Sequence, residues 1–165
     1  MKEMKVYVAG KVSKNSSFGT HHWRDNFCTQ LSELSGIKLN NLDPLKDESV
    51  TQNISEIFKK DIRLINRSDV FVVYLSDDIS VGGAQEILFA KYLKRKVLAL
   101  APYGGKFNNA TREMFGKIIT DYKDPFVFAT CDKVCGTLEE LADAIKNLDT
   151  IKYTSLETLL SKSLK

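Results

Sequence analysis

The sequence predicts an α/β chain built on a doubly wound, mostly parallel sheet of about five strands with helices on both faces. Short apolar runs alternate with segments of helical periodicity along the whole chain. The runs are nearly continuous in apolar residues rather than alternating with polar ones, which is what a strand covered on both faces requires.

The strands are expected at Val6–Ala9, Val70–Leu75, Val97–Ala101 and Phe126–Ala129, with a weaker one at Ile37–Leu42. Helices are expected near His21–Leu34, Gln52–Asn66, Gly83–Leu93, Ala110–Ile119 and Leu138–Leu148, and in a tail near Ser155–Lys162. Residues 1–150 read as one domain and 151–165 as a C-terminal tail; no internal repeat or Pro-rich linker interrupts them. Ligands of such sheets bind beyond the carboxyl ends of the strands, so the loops beginning at Gly10, Asp43, Ser76, Pro102 and Cys131 are where chemistry is expected.

Composition narrows the function classes. The 165 residues suffice for a core without disulfides or metal, and 24 Lys and Arg against 21 Asp and Glu leave a net charge of only +3, spread along the chain. No nucleic-acid or membrane-surface partner is expected from that distribution. No apolar stretch approaches the roughly 20 residues that span a bilayer, so a cytoplasmic protein is expected. The Cys131/Cys135 pair lacks the second Cys or His pair of a structural zinc site, so Cys28, Cys131 and Cys135 are expected to be buried or idle thiols.

Two carboxylates stand out. In the segment Ile54–Arg67, Ile54, Ile57, Phe58, Ile62, Leu64 and Ile65 share one helix face while Lys59, Lys60, Arg63 and Arg67 take the other, and Asp61 falls within the apolar face. A carboxylate there must be paired, bonded to loop amides, or directed into a cleft. After the third strand the chain reads Ser76-Asp-Asp-Ile-Ser80-Val-Gly82-Gly83-Ala-Gln-Glu86, then a nearly all-apolar helix. Glu86, placed in the first turn, would be kept ionised by the helix N-terminus, as a nucleophile should be; alternatively it bonds back to the amide of Gly83 as a cap. Gly82 and Gly83 allow close approach of a ligand to the backbone, and Ser80 offers a hydroxyl beside the helix amides. Asp61 and Glu86 together are the carboxylate pair that retaining glycosyl transfer uses; no metal is expected, nor a cofactor, since glycosyl transfer through carboxylates needs none.

Other motifs fail or stay open. Gly10 and Gly19 are too far apart for a dinucleotide loop. Gly104-Gly105-Lys106 is not a P-loop, because Phe107 stands where Ser or Thr is needed and Leu100 where the first Gly belongs. His21, His22 and Trp23 could stack on a base or simply be exposed polar positions at a helix start.

The ordered set Lys5-Val-Tyr7-Val-Ala-Gly10, Asp61, Ser68-Asp-Val-Phe-Val-Val-Tyr-Leu75 and Ser80-x-Gly82-x-x-x-Glu86 resembles the nucleoside 2-deoxyribosyltransferase family, and most closely its 2′-deoxynucleoside 5′-monophosphate N-glycosidase branch. The resemblance runs from Lys5 to Pro102 and weakly to Phe115. It implies a flavodoxin/Rossmann-like sheet, a covalent glycosyl ester on Glu86, proton transfer by Asp61, and a Tyr7 that holds the nucleophile or the substrate. The free-nucleoside transferases carry Asp where this chain has Ser80; the monophosphate hydrolases use Ser there to bind phosphate. In those hydrolases the neighbouring subunit adds a hydroxyl from the loop after the fourth strand, for which Thr111, with Asn109 as rival, is the candidate here. The loop Lys11–Ser17 carries two lysines and three serines that could serve a phosphate, although the hydrolases' Arg-Gly-Gly stretch is not reproduced. The resemblance thus implies hydrolysis of a nucleoside 5′-monophosphate to free base, with Gly10, Ser80, Gly82, Gly83 and Thr111 around the substrate. It also implies a homodimer or a higher even oligomer, to which the aromatic helix after Glu86 also points. The alternatives are base exchange on free deoxynucleosides, or a non-catalytic nucleotide-sensing domain of the same fold.

Overall fold

The computed structural model describes residues 2–11, 18, 23–46 and 53–164. In chain order the elements are β1 (Glu3–Gly10), α1 (Trp23–Ser35), β2 (Lys38–Asn41), α2 (Ile54–Arg67), β3 (Val70–Tyr74), α3 (Val81–Tyr92) and β4 (Lys96–Leu100). There follow β5 (Asn108–Met114), β6 (Lys117–Lys123), α4 (Pro125–Thr130), β7 (Lys133–Cys135), α5 (Leu138–Lys146) and α6 (Leu156–Ser163). The main sheet is five-stranded and wholly parallel, in the order β2-β1-β3-β4-β7. This is the doubly wound fold expected, and its strand order reverses between β1 and β3.

The pleat of β1 decides which side chain faces which layer. Val6 and Val8 join a core with Trp23, Phe27 and Leu31 of α1 and Leu141 and Ile145 of α5. Tyr7 and Ala9, one residue out of phase, join the opposite core with Ile65 of α2 and Ile87 and Ala90 of α3. Tyr7 is therefore committed to the layer that holds Asp61 and Glu86.

Two expected elements are something else. The run Phe126–Ala129 is not a strand but lies in α4, because Asp124 caps the amides of Phe126 and Val127 and Pro125 fills the first helical position. The fifth strand is Lys133–Cys135, so the fifth loop begins after Cys135 rather than at Cys131. The helix expected at Ala110–Ile119 is a β-hairpin instead, turning through Phe115 (φ 54°) and Gly116 (φ 71°), the paired positive dihedrals of a two-residue hairpin loop.

The tail is tied down by a buried pair. Lys91 Nζ lies 2.6 Å from Asp132 Oδ1, both side chains fully buried; Asp132 also accepts from the amides of Val97 and Thr154, and Tyr153 donates its hydroxyl to the Lys91 carbonyl. Among the described residues no helix is long and apolar enough to cross a membrane.

Candidate active site

At the strand-order reversal the structure brings together three of the residues singled out from the sequence, Tyr7, Glu86 and Asp61. Tyr7, 1% exposed and stacked on Phe71, donates its hydroxyl to Glu86 Oε1 at 2.9 Å. This bond joins β1 to α3 across 79 residues of chain. The alternative of a capping Glu86 is set aside by the same geometry, since the Gly83 amide donates to Ser80 Oγ at 3.0 Å and Glu86 is left to the crevice.

Ser80 is the N-cap, so α3 starts at Val81 and Glu86 sits in its second turn, not its first. The influence of the helix N-terminus falls off within one turn, and the expected electrostatic support for an ionised Glu86 is lost. Burial dominates: the Glu86 carboxyl is raised above its ordinary 4.5, with the Tyr7 hydrogen bond and Arg24 opposing and Asp61 adding to the rise. Asp61 is half-buried and is likewise raised above 3.8 by burial, against Lys60 and Arg24. It accepts no hydrogen bond from any described residue, so the expected alternative of binding loop amides has no support among them. The charges of Asp61 and Glu86 both raise the phenol of Tyr7, after burial, which places the three groups within one electrostatic neighbourhood.

Sequence reasoning missed Arg24. It stands in the first turn of α1, its Nε donating to the Val8 carbonyl at 2.9 Å and its Nη2 to the Gly10 carbonyl at 3.3 Å, with Nη1 3.9 Å from the buried Asp43. It is the cation that opposes the raised pKa of Asp61, Glu86 and Tyr7 alike. No motif could have found it, because its partners are main-chain carbonyls at the end of a strand. Its neighbour Trp23 is buried in the core against Phe27 and Tyr74 and so does not stack on a base; His21 and His22 lie outside the described residues.

The glycines divide. A side chain at Gly10 (φ 155°) would meet the Tyr74 carbonyl at 2.9 Å and the Trp23 ring at 3.0 Å, so Gly10 serves the close approach of β1, β3 and α1. Gly82 faces open space and leaves room at the helix start, whereas Gly83 is packed against Ile79 and Ser80 and its amide is used. Thr111 is exposed on β5, outside the hydrogen-bonded cluster just described, and Asn109 is the residue of that strand with a positive φ, 53°. Among the described residues no three His, Cys, Asp or Glu side chains converge as metal ligands would.

The expected apolar face of α2 is only partly covered. Ile54 is 83% exposed, and Ile57 and Phe58 are about half so; Phe58 meets Phe89 edge-on. Phe58 and Ile62 of α2, with Leu88, Phe89, Tyr92 and Leu93, line a wholly apolar groove of about 430 Å³.

No family model and no curated protein matches the chain. Solved structures do resemble it. A conserved protein from Enterococcus faecalis V583 is 19% identical, with a TM-score of 0.62 over 88% of this chain and 98% of that one. A 2-deoxyribosyltransferase from Bacillus psychrosaccharolyticus is 15% identical, with a TM-score of 0.51 over 94% of this chain and 95% of that one. These likenesses are of fold.

Proposed function

We propose that the chain is an enzyme that cleaves the N-glycosidic bond of a nucleoside 5′-monophosphate through a covalent ester on Glu86 and releases the free base. The observation that carries this reading is the Tyr7–Glu86 hydrogen bond, with Asp61 beside it, at the point where the strand order reverses. Tyr7 occupies Oε1, which leaves Oε2 to attack C1′ from the face opposite the base. The C1′–N bond breaks toward the base, which takes up a proton; Asp61, whose burial favours its protonated form, supplies it. Ionised Asp61 then accepts a proton from the water that attacks C1′ and frees Glu86. Both carboxylates end as they began.

Ser80 favours a monophosphate over a free nucleoside. Its oxygen accepts the Gly83 amide while its proton remains available to a phosphate oxygen, and it adds no negative charge. The amide near Gly82 and the loop at Gly10 complete this side, and Thr111 would reach it from a neighbouring subunit. Support for a homodimer or higher even oligomer comes from the apolar groove between α2 and α3, since monomers rarely leave large apolar patches uncovered. The partners expected are a nucleoside or nucleotide and a second copy of the chain, with neither nucleic acid nor membrane.

Base exchange between free deoxynucleosides is the second reading, favoured by the fold shared with the Bacillus psychrosaccharolyticus 2-deoxyribosyltransferase. One experiment tests both. The protein is incubated with nucleosides and 5′-monophosphates, with and without an added acceptor base, and products are separated by chromatography. Free base from a monophosphate, lost in Glu86→Gln, supports hydrolysis; a new nucleoside with the acceptor favours transfer. Ligand binding without any base release, unaffected by Glu86→Gln, would overturn both in favour of a sensing domain.

A further inference from the structure

The segment Gly104-Gly105-Lys106, which fails as a P-loop, has a different use. Gly104 adopts φ 76°, and a side chain at Gly105 would sit 2.9 Å from the Pro102 carbonyl and 3.8 Å from that of Ser76. Glycines let the loop after β4 turn this tightly on itself, at Gly104 through its positive φ and at Gly105 through its approach to the Pro102 carbonyl. Hydrogen bonds from Gly104 to Asn108, from Gly105 to Pro102 and from the Asn108 side chain to Ala101 fix the turn. The Lys106 ammonium is thereby delivered to Asp78, 3.1 Å from Oδ1. Lys11, the first residue after β1, reaches the other oxygen of the same carboxylate at 3.8 Å.

We propose that Lys11 and Lys106 form a clamp for a phosphate monoester at the mouth of the crevice, with Asp78 as the internal carboxylate that the phosphate displaces. Lys11 just after β1 and the loops after β3 and β4 meet at this point, two residues before Ser80 caps α3. All three side chains are about half exposed, so their ion pairs add little to folding and can be exchanged for a ligand. Two ammonium groups against one carboxylate leave a positive charge that a dianionic phosphate uses better than the carboxylate does. Lys106 and the Ile79 amide hold the Asp78 carboxyl below its ordinary value, which favours its ionised form beside the two lysines.

This inference deepens the nucleotide reading and rests on it for the identity of the ligand, but its test needs no turnover. Inorganic phosphate is titrated into the full chain and its variants by calorimetry at fixed ionic strength. Lys106→Gln and Lys11→Gln should each weaken binding by at least about threefold, and Asp78→Asn should strengthen it by a similar factor. The opposite signs are the signature: a merely structural Asp78 would bind no better, or worse, as Asn. Unchanged or weaker binding by Asp78→Asn, or unchanged binding by both lysine variants, overturns the clamp. Absence of base release from any nucleotide overturns the nucleotide reading instead, and leaves the phosphate titration to stand on its own.

Discussion

Replacing Glu86 by Gln should make the protein more stable at neutral pH. Burial raises the Glu86 carboxyl above its ordinary value, so across the window between the unfolded and folded values the folded state binds more protons than the unfolded state. Below that window the carboxyl is protonated in both states and costs nothing extra. As pH rises through it stability falls, and above it the full deficit remains. Gln keeps an oxygen for the Tyr7 hydroxyl and removes only the charge. An incompletely satisfied buried polar group costs about 1–3 kcal/mol; one retained hydrogen bond and partial exposure put Glu86 near the lower end, about 1 kcal/mol. For a chain of this length that is a rise in Tm of roughly 2–4 °C. Thermal melts of both proteins from about pH 4 to pH 8 should show the difference opening from near zero at the acid end, around the unfolded carboxylate value. Asp61→Asn should act in the same direction, and the double variant should gain less than the two singles together, because each single already relieves the repulsion between the carboxylates. A Glu86→Gln protein that melts at or below wild type across the whole range would refute the reasoning.

Arg24→Gln removes the cation that lowers Asp61 and Glu86, so both carboxyls rise and the acid limb of kcat/KM should move to higher pH; an unmoved limb in a folded variant would exclude Arg24 from the site's electrostatics. Ser80→Asp keeps a residue able to cap α3 but places a charge against the phosphate, and should erase most of an at least roughly tenfold preference for a monophosphate over its nucleoside, about 1.4 kcal/mol. Lys91→Met leaves Asp132 buried without its cation and should cost about 3–5 kcal/mol, read from denaturant unfolding. Sedimentation should show a dimer or higher even oligomer that Phe58→Asp dissociates; a fully active monomer at micromolar concentration would remove the oligomer and with it any role for Thr111 in a partner's site.

The parallel sheet was legible because its central strands are apolar on both faces, and β1, β3 and β4 appear where continuous runs predict them. The two misassigned elements both fall after β4. A four-residue apolar run reads alike as a strand or as a short helix, and at Phe126–Ala129 the Asp124-Pro125 start signal should have outranked it. At Ala110–Ile119 the apolar spacing suggested a helix, while the β-branched and aromatic content of Ile118, Ile119, Thr120 and Tyr122 and the glycine at 116 belong to a hairpin. In the site, Asp61 and Glu86 were visible as carboxylates in apolar helical segments, and Ser80 as a hydroxyl at the start of the helix that carries Glu86. Arg24 was not, because an arginine in the first turn of a helix looks like any surface charge until its strand-end carbonyls are known.

α3 is capped within its own chain segment at its start and tied to other elements near its end. At its start, Ser80 holds the Gly83 amide and Gly83 fits against Ile79 where a side chain would crowd. Near its end, Lys91 is locked to Asp132 and its carbonyl to Tyr153. Between them lies a carboxylate whose burial opposes folding and whose second oxygen has no hydrogen bond to another described residue. A helix free to shift would relieve that strain by rotating Glu86 toward water, and the group would then be a solvated acid of ordinary strength. The Lys91–Asp132 tether at the end of the helix makes that movement costly, which keeps Glu86 beside Tyr7 and Asp61. The buried Lys91–Asp132 pair thus acts on the site at a distance: loosening it should lower the Glu86 carboxyl toward its ordinary value as well as lowering the melting temperature.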